Sequence, residues 1–202
     1  MMGKNHIITN YATLASSYTL IKLANKGLSE RMPLVSSKIA DMGSYMVSYT
    51  NYPTWVNIGL GLAIFALGSL LPDIDNKNST LGKIIHIPIE HRTWLHTVWF
   101  ILPFAILSFF NALFVWLSLG MFLHIFWDSF SVGGICFFKP NYTTYANGGR
   151  VKKGHKLKLY RTGDISEKLI VFFIVLTSLI IIYLGFKYGV YKFEPEKWDF
   201  LK

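Results

Sequence analysis

The run LIVFFIVLTSLIIIYLGF, Leu169 to Phe186, contains no Asp, Glu, Lys or Arg. Crossing a hydrocarbon layer takes about 20 apolar residues in an α-helix, so this run reads as a membrane-spanning helix. Two windows further back, residues 55–72 and 94–127, are equally free of these charges. A single helix over 94–127 would be about 50 Å long, well beyond a ~30 Å hydrocarbon core. The window therefore breaks around Ser108 to Asn111 into two antiparallel helices, which makes four spanning segments in all. The composition agrees: 52% of residues are hydrophobic and 15% charged, and the mean hydropathy is +0.37. An ordinary soluble domain is excluded.

The segment from His6 to about Ala24 is amphipathic, with Ile7, Ile8, Tyr11, Leu14, Ala15, Tyr18 and Ile21 on its apolar face. It crosses as a fifth helix or lies half-buried against the others. The expected fold is all-α: an integral membrane helical bundle of four to five membrane-associated helices, one domain over residues 1–202. Between Asn25 and Pro53 the chain reads as a polar connector with short helical pieces. From Ser129 to Glu167 a second long loop carries Gly133-Gly134, Asn147-Gly148-Gly149 and a basic run from Arg150 to Arg161. No apolar stretch with a small-residue cleavage site follows Met1, so a cleavable signal peptide is not expected. Cys136, the single cysteine, excludes an intrachain disulfide and a Cys-rich zinc module.

Against this apolar background a few polar residues stand out. Asp73 and Asp75 end the first charge-free window, His91-Arg92 and His96 flank the start of the second, and His124 and Asp128 close it. A charged side chain inside a membrane costs about 3 kcal/mol on insertion scales, so such residues are functional-site candidates by default. If the N-terminal helix crosses, chain order places His6, Asp73, Asp75, His91, His96 and Asp128 at one membrane surface. That side also holds 12 of the 20 basic residues, which assigns the site to the cytoplasmic face of the cell membrane. The formal net charge of +9 fits attraction to anionic lipid headgroups. Nucleic acid is not an expected partner, and the oligomeric state is left open.

Carboxylate and imidazole together suggest a metal site. His124 and Asp128 are one helical turn apart on one face and can share an ion; the alternative is an interhelical hydrogen bond. Asp73 and Asp75 follow Pro72, which favours an extended or turn conformation. In an extended strand both carboxylates point the same way; alternatively the pair is only a helix-ending turn. His91 and His96 are separated by about 140° on an ideal helix. His91 is therefore expected in a loop or first turn, with His96 inside the helix, serving different ions. Arg92 suits an anionic phosphate oxygen, or is an interfacial arginine. His86 and His155 read as surface residues. Glu167 either supports the site or precedes the last helix.

Taken in order, these blocks resemble the YdjM-like family, described as membrane-bound metal-dependent hydrolases. The matching pieces are His6, Leu71-Pro72-Asp73-Ile74-Asp75, His91-Arg92-Thr93-Trp94-Leu95-His96, His124 to Asp128 with Gly133 and Pro140, and Arg161-Thr162-Gly163 to Glu167. Thr93 stands where the family has Gly, and Leu95 where it has Thr. The resemblance implies kinship with zinc-dependent phospholipases C and single-strand nucleases, and so a phosphoester hydrolase, with a lipid-linked phosphate as substrate. It implies His6, Asp73, Asp75, His91, His96, His124 and Asp128 as ligands of one to three divalent ions, zinc first among them. Asp73, Asp75 and Asp128 are the candidate catalytic carboxylates, and Arg92 and Arg161 the candidate phosphate-binding residues. A metal-ion or proton transporter and a non-catalytic scaffold with a basic loop are the competing readings.

Overall fold

The computed structural model describes residues 3–138, 142–144, 150–152 and 156–191. Six α-helices run through them: α1 (Gly3–Arg31), α2 (Pro33–Val47), α3 (Thr54–Leu70), α4 (Val98–Leu107), α5 (Leu113–Ser129) and α6 (Ile165–Lys187). Two 3-10 turns, Leu71–Asp75 and Trp94–His96, sit at the end of α3 and just before α4. The class is all-α; one short antiparallel ribbon, β1 (Tyr142–Thr144) with β2 (Arg150–Lys152), is the regular exception among the described residues.

Helix boundaries follow local chemistry. Met32 breaks the chain between α1 and α2, and Pro33 opens α2, where its missing N–H costs nothing. The expected break at Ser108 to Asn111 is present as the turn between α4 and α5, with the Phe110 N–H donating to Leu107 O and the Leu113 N–H to Asn111 Oδ1. Asp164 caps α6 by accepting from the Ile165 N–H. Residues 25–53 are more regular than a polar connector: α1 continues to Arg31 and α2 occupies most of the rest.

Among the described residues two helices, Thr54–Asp75 and Ile165–Lys187, are long and apolar enough to cross a membrane, against the four expected; the ten-residue α4 and seventeen-residue α5 are shorter. Along α6, Leu169, Phe172, Phe173, Leu176, Leu179, Ile180, Tyr183 and Phe186 all face outward.

At the centre α3 packs on α5 through glycine. A Cβ on Gly68 would lie 2.3 Å from Leu117 O, and one on Gly120 2.3 Å from Phe65 O. Only hydrogen permits this approach, the small-residue contact by which membrane helices gain close van der Waals packing. Phe65, Trp116 and Leu123 fill the space on one side, and Leu117, Met121, Ile125 and Ile135 with Ile101 on the other.

The packing of α1 meets the sequence expectation in part: Ile7, Tyr11, Leu14 and Ala15 are half-buried, and Tyr11 and Leu14 pack against Phe65, Trp116 and Leu123. The buried residues of α1 are His6, Thr9, Asn10, Ser16 and Thr19, while Ile8, Tyr18, Leu20 and Ile21 are exposed. Asn10 Nδ2 donates to Ser69 Oγ at 2.9 Å and to Gly120 O at 3.3 Å, and Tyr11 Oη donates to Leu62 O at 2.7 Å. Polar side chains, together with Tyr11 and Leu14 of the apolar face, hold this helix to α3 and α5.

Candidate metal centre

One end of the bundle collects polar side chains from five segments. His6 comes from the start of α1, Asp73 and Asp75 from the turn ending α3, His91 from the following loop, His96 from the turn before α4, and His124 and Asp128 from the last turns of α5. Two sequence expectations change here. Asp73 and Asp75 lie in a 3-10 turn, not an extended strand, because Pro72 begins a tight turn directly on the end of α3. His96 precedes α4 and is not inside it. Both aspartates face His96, through its two ring nitrogens, and of the two Asp75 lies closer to His91.

The first group is Asp73, His96, His124 and Asp128, all buried, with donor atoms within 4.8 Å of one another. His96 Nε2 lies 3.5 Å from Asp73 Oδ1 and 3.7 Å from Asp128 Oδ2. His124 Nε2 lies 3.5 Å and 3.8 Å from the same two oxygens. His6, fully buried, brings Nε2 to 3.3 Å from Asp128 Oδ1 and stacks on the His124 ring at 3.7 Å between centroids. Both ring nitrogens of His6 and His96, and Nε2 of His124, are buried without a hydrogen bond. Buried polar atoms without partners cost about 1–3 kcal/mol each, so five in one place need an explanation.

A cation supplies one for the nitrogens that face the carboxylates, one from each ring. Donor atoms about 2.0–2.1 Å from a tetrahedral zinc ion stand roughly 3.4 Å apart, which is the spacing found here and is longer than good hydrogen bonds. The tautomer of His124 suits this role. Its Nδ1 is 2.7 Å from Ser69 O, and since a carbonyl only accepts, Nδ1 carries the proton and Nε2 presents a lone pair to the cluster.

The second group, Asp75, His91 and His96, is built differently. His91 Nδ1 is hydrogen-bonded to Asp75 Oδ1 at 2.7 Å, and the Arg92 N–H donates to Asp75 Oδ2 at 3.3 Å. His96 Nδ1 lies 3.8 Å from Asp75 Oδ2. Asp75 therefore sits between the two imidazoles as an orienting carboxylate, and His91, 35% exposed at its side chain, is the member nearest the surface.

Arg92 adopts φ 61°, a left-handed conformation that a non-glycine residue takes only when its surroundings fix it. Its Nη2 pairs with Asp128 Oδ2 at 3.3 Å and donates to Thr162 Oγ1 at 3.3 Å, while Nη1 donates to Ser131 Oγ at 2.9 Å. Gly133 makes room for it, because a Cβ there would lie 2.0 Å from Nη1. The guanidinium is thus engaged with protein groups around Asp128. Arg161 is exposed, and its recorded hydrogen bonds run through its backbone, with its N–H donating to Ser166 Oγ at 3.1 Å. His155 lies outside the described residues, and His86 is half-buried in the loop before His91.

Of the supporting residues, Glu167 is offered by the sequence either as a support of the site or as a residue before the last helix, and Tyr160 is not singled out by it. Glu167, fully buried, accepts from Asn5 Nδ2 at 2.5 Å and from the Gly163 N–H at 2.6 Å, tying the start of α6 to the turn of α1 that carries His6. Asp164 three residues before Glu167 has the spacing of a capping box, but the Glu167 carboxylate accepts from the Gly163 N–H and not from that of Asp164. Tyr160, buried between the loop and α5, donates to Trp127 O at 2.8 Å; burial raises its pKa, which keeps the phenol a donor.

A helical bundle with apolar outward faces, an inward polar stripe on α1 and a buried His-Asp cluster at one end defines a membrane-type helical protein with a candidate metal centre. The family model described as YdjM inner membrane protein matches residues 1–191. The chain belongs to that family. No curated protein and no solved structure matches it.

Proposed function

We propose that this protein is a membrane-embedded metal-dependent hydrolase acting on a phosphoester, with a lipid-linked phosphate as substrate. The observation that carries the reading is the convergence of His6, His96 and His124 nitrogens on Asp73 and Asp128 oxygens at 3.3–3.8 Å. In this reading α3 and α6 cross the bilayer with α1 and α5 packed beside them, α4, about 15 Å long, reaches only part way, and the cluster lies at the cytoplasmic face. Asp73, Asp128, His96 and His124 would hold a zinc ion, with His6 beside Asp128; His91 and Asp75 border the open side. A divalent ion held there supplies positive charge to a phosphoryl oxygen and lowers the pKa of a water toward neutrality.

The chain's own residues do the rest. Asp75 holds the His91 ring by its 2.7 Å hydrogen bond and keeps it at the mouth of the site. Arg92 offsets the charge of Asp128 and positions that carboxylate rather than meeting substrate with a free fork. Arg161, exposed before α6 and next to the Thr162 that Arg92 reaches, is the guanidinium left to meet a phosphate oxygen.

A transport path is the second reading, and one observation favours it: the polar stripe from His6 to Thr19 runs inward along α1 for about 20 Å. Against it, Thr9, Thr13, Ser16 and Thr19 donate to carbonyls of their own helix, which makes the stripe packing and not a chain of free groups. Metal content of the detergent-purified protein tests the centre. Zinc near one per chain, lost in His124→Gln and in Asp128→Asn, is the expected result. A wild type that stays metal-free when zinc is added overturns the proposal, and hydrolysis of phosphatidic acid by the loaded protein tests the chemistry.

A further inference from the structure

Between α1, the end of α5 and α6 runs a groove of about 380 Å³, within the size range of small-molecule sites. Trp127 and Phe130 form one end, Phe173 and Ile174 one wall, and Ser16 with Ser178 lie at its depth. Three features limit what can occupy it.

The first is chemistry. Thr13 donates to Thr9 O at 2.7 Å, Ser16 to Ala12 O at 2.8 Å and Ser178 to Ile174 O at 2.8 Å. Hydroxyls spent on their own helices offer little to a polar ligand, so the groove presents hydrocarbon. The second is position. Trp127 immediately precedes Asp128 in α5, so one end of the groove starts beside the metal cluster. From Ile170 to Ser178 the groove follows α6 for about 12 Å along the helix axis. The third is an unused donor. Trp127 Nε1 is buried and has no hydrogen-bond partner, although an indole N–H normally finds an acceptor when buried. The groove opens past Phe173 and Thr177 on the outward side of α6, where Phe172, Leu176 and Leu179 are exposed.

We infer that this groove holds one long acyl chain of a lipid whose phosphate lies at the His-Asp cluster, with the chain's ester end at Trp127 and Phe130. The inference rests on the phosphoester reading and names its substrate class: an acylated phosphate that enters sideways from the membrane, not a soluble phosphate ester. Burying methylenes in the groove gains no hydrophobic energy relative to lipid; what the groove contributes is alignment, fixing where the headgroup stands.

The test uses the full chain in phosphatidylcholine vesicles with a phosphatidic acid carrying a diazirine in its acyl chain, followed by mapping of the photolabelled peptides. Labelling at Phe130, Ile170 and Ile174, the half-buried lining, about fivefold stronger than at Leu176, Leu179 and Tyr183 is expected, a ratio that a modest binding preference produces. Ile174→Trp, which fills the groove, should remove that excess. Equal labelling of the groove and the outer face in wild type overturns the inference whether or not the variant folds. Because labelling needs no turnover, it is repeated in His124→Gln. Groove labelling without hydrolysis by the zinc-loaded wild type supports the acyl site and rejects the hydrolase reading; hydrolysis with uniform labelling does the reverse.

Discussion

Gly120→Ala tests how the fold sets the metal centre without touching any proposed ligand. The added methyl would sit 2.3 Å from Phe65 O and 2.9 Å from Ser69 N. An ordinary carbon–oxygen contact is about 3.3 Å or more, so α3 and α5 must separate by roughly 1 Å. Ser69 O lies at the same crossing and accepts from His124 Nδ1 at 2.7 Å. A 1 Å shift stretches that bond past the ~3.5 Å limit, at a cost of about 1 kcal/mol. Overpacking adds about 1–3 kcal/mol. Freed from its carbonyl, the His124 ring loses its fixed tautomer, and loss of such a partner lowers metal affinity about 10- to 100-fold. Gly59→Ala is the control. A Cβ there meets nothing within 4 Å, and helix propensity predicts a gain of up to about 1 kcal/mol. Zinc affinity by chelator competition and thermal unfolding in detergent read both effects. If Gly120→Ala binds zinc like wild type and melts like Gly59→Ala, the glycine crossing does not set the His124 geometry.

Three further outcomes follow from the same contacts. Glu167→Gln places an amide N–H against either the Asn5 or the Gly163 donor, and should cost about 1–3 kcal/mol in thermal unfolding while weakening zinc binding through His6. Chelator treatment should lower the melting temperature and added zinc restore it, since a ligand bound only by the native state stabilises by about 2.7 kcal/mol at a hundred times its Kd; an unchanged melting curve would count against the centre. Leu179→Lys, at an outward position of α6, would be nearly neutral in water but should cost about 3 kcal/mol in a bilayer, read as loss of carbonate-resistant membrane association.

The parts of this structure governed by short-range chemistry were readable from sequence. The charge-free windows gave α3, α5 and α6, and the length of residues 94–127 forced the turn that Ser108 and Asn111 supply. His124 and Asp128 needed only helical spacing. Features set by tertiary approach were not readable. The bond from His124 to Ser69 exists because Gly68 and Gly120 let two backbones nearly touch, and nothing in the local pattern around either glycine says which carbonyl it faces. Arg92 in a left-handed conformation is likewise fixed from outside, by Asp128, Ser131 and Thr162.

The inward turn of the polar residues of α1 has the most general cause. An amphipathic pattern predicts apolar-side-in only when water is the solvent, because burial then gains about 25 cal/mol per Å². Against lipid tails that gain disappears, and what distinguishes one rotation of the helix from another is where its polar groups find partners. Asn10 finds Ser69 and Gly120, Tyr11 finds Leu62, and Ser16 meets Ser178. With those contacts made, His6, one turn before Asn10, is aimed at Asp128. A slip of one residue in α1 would rotate His6 by about 100° away from the cluster. The polar stripe therefore has a single role in both folding and site assembly: it sets the register that delivers a histidine from the first helix to a carboxylate on the fifth.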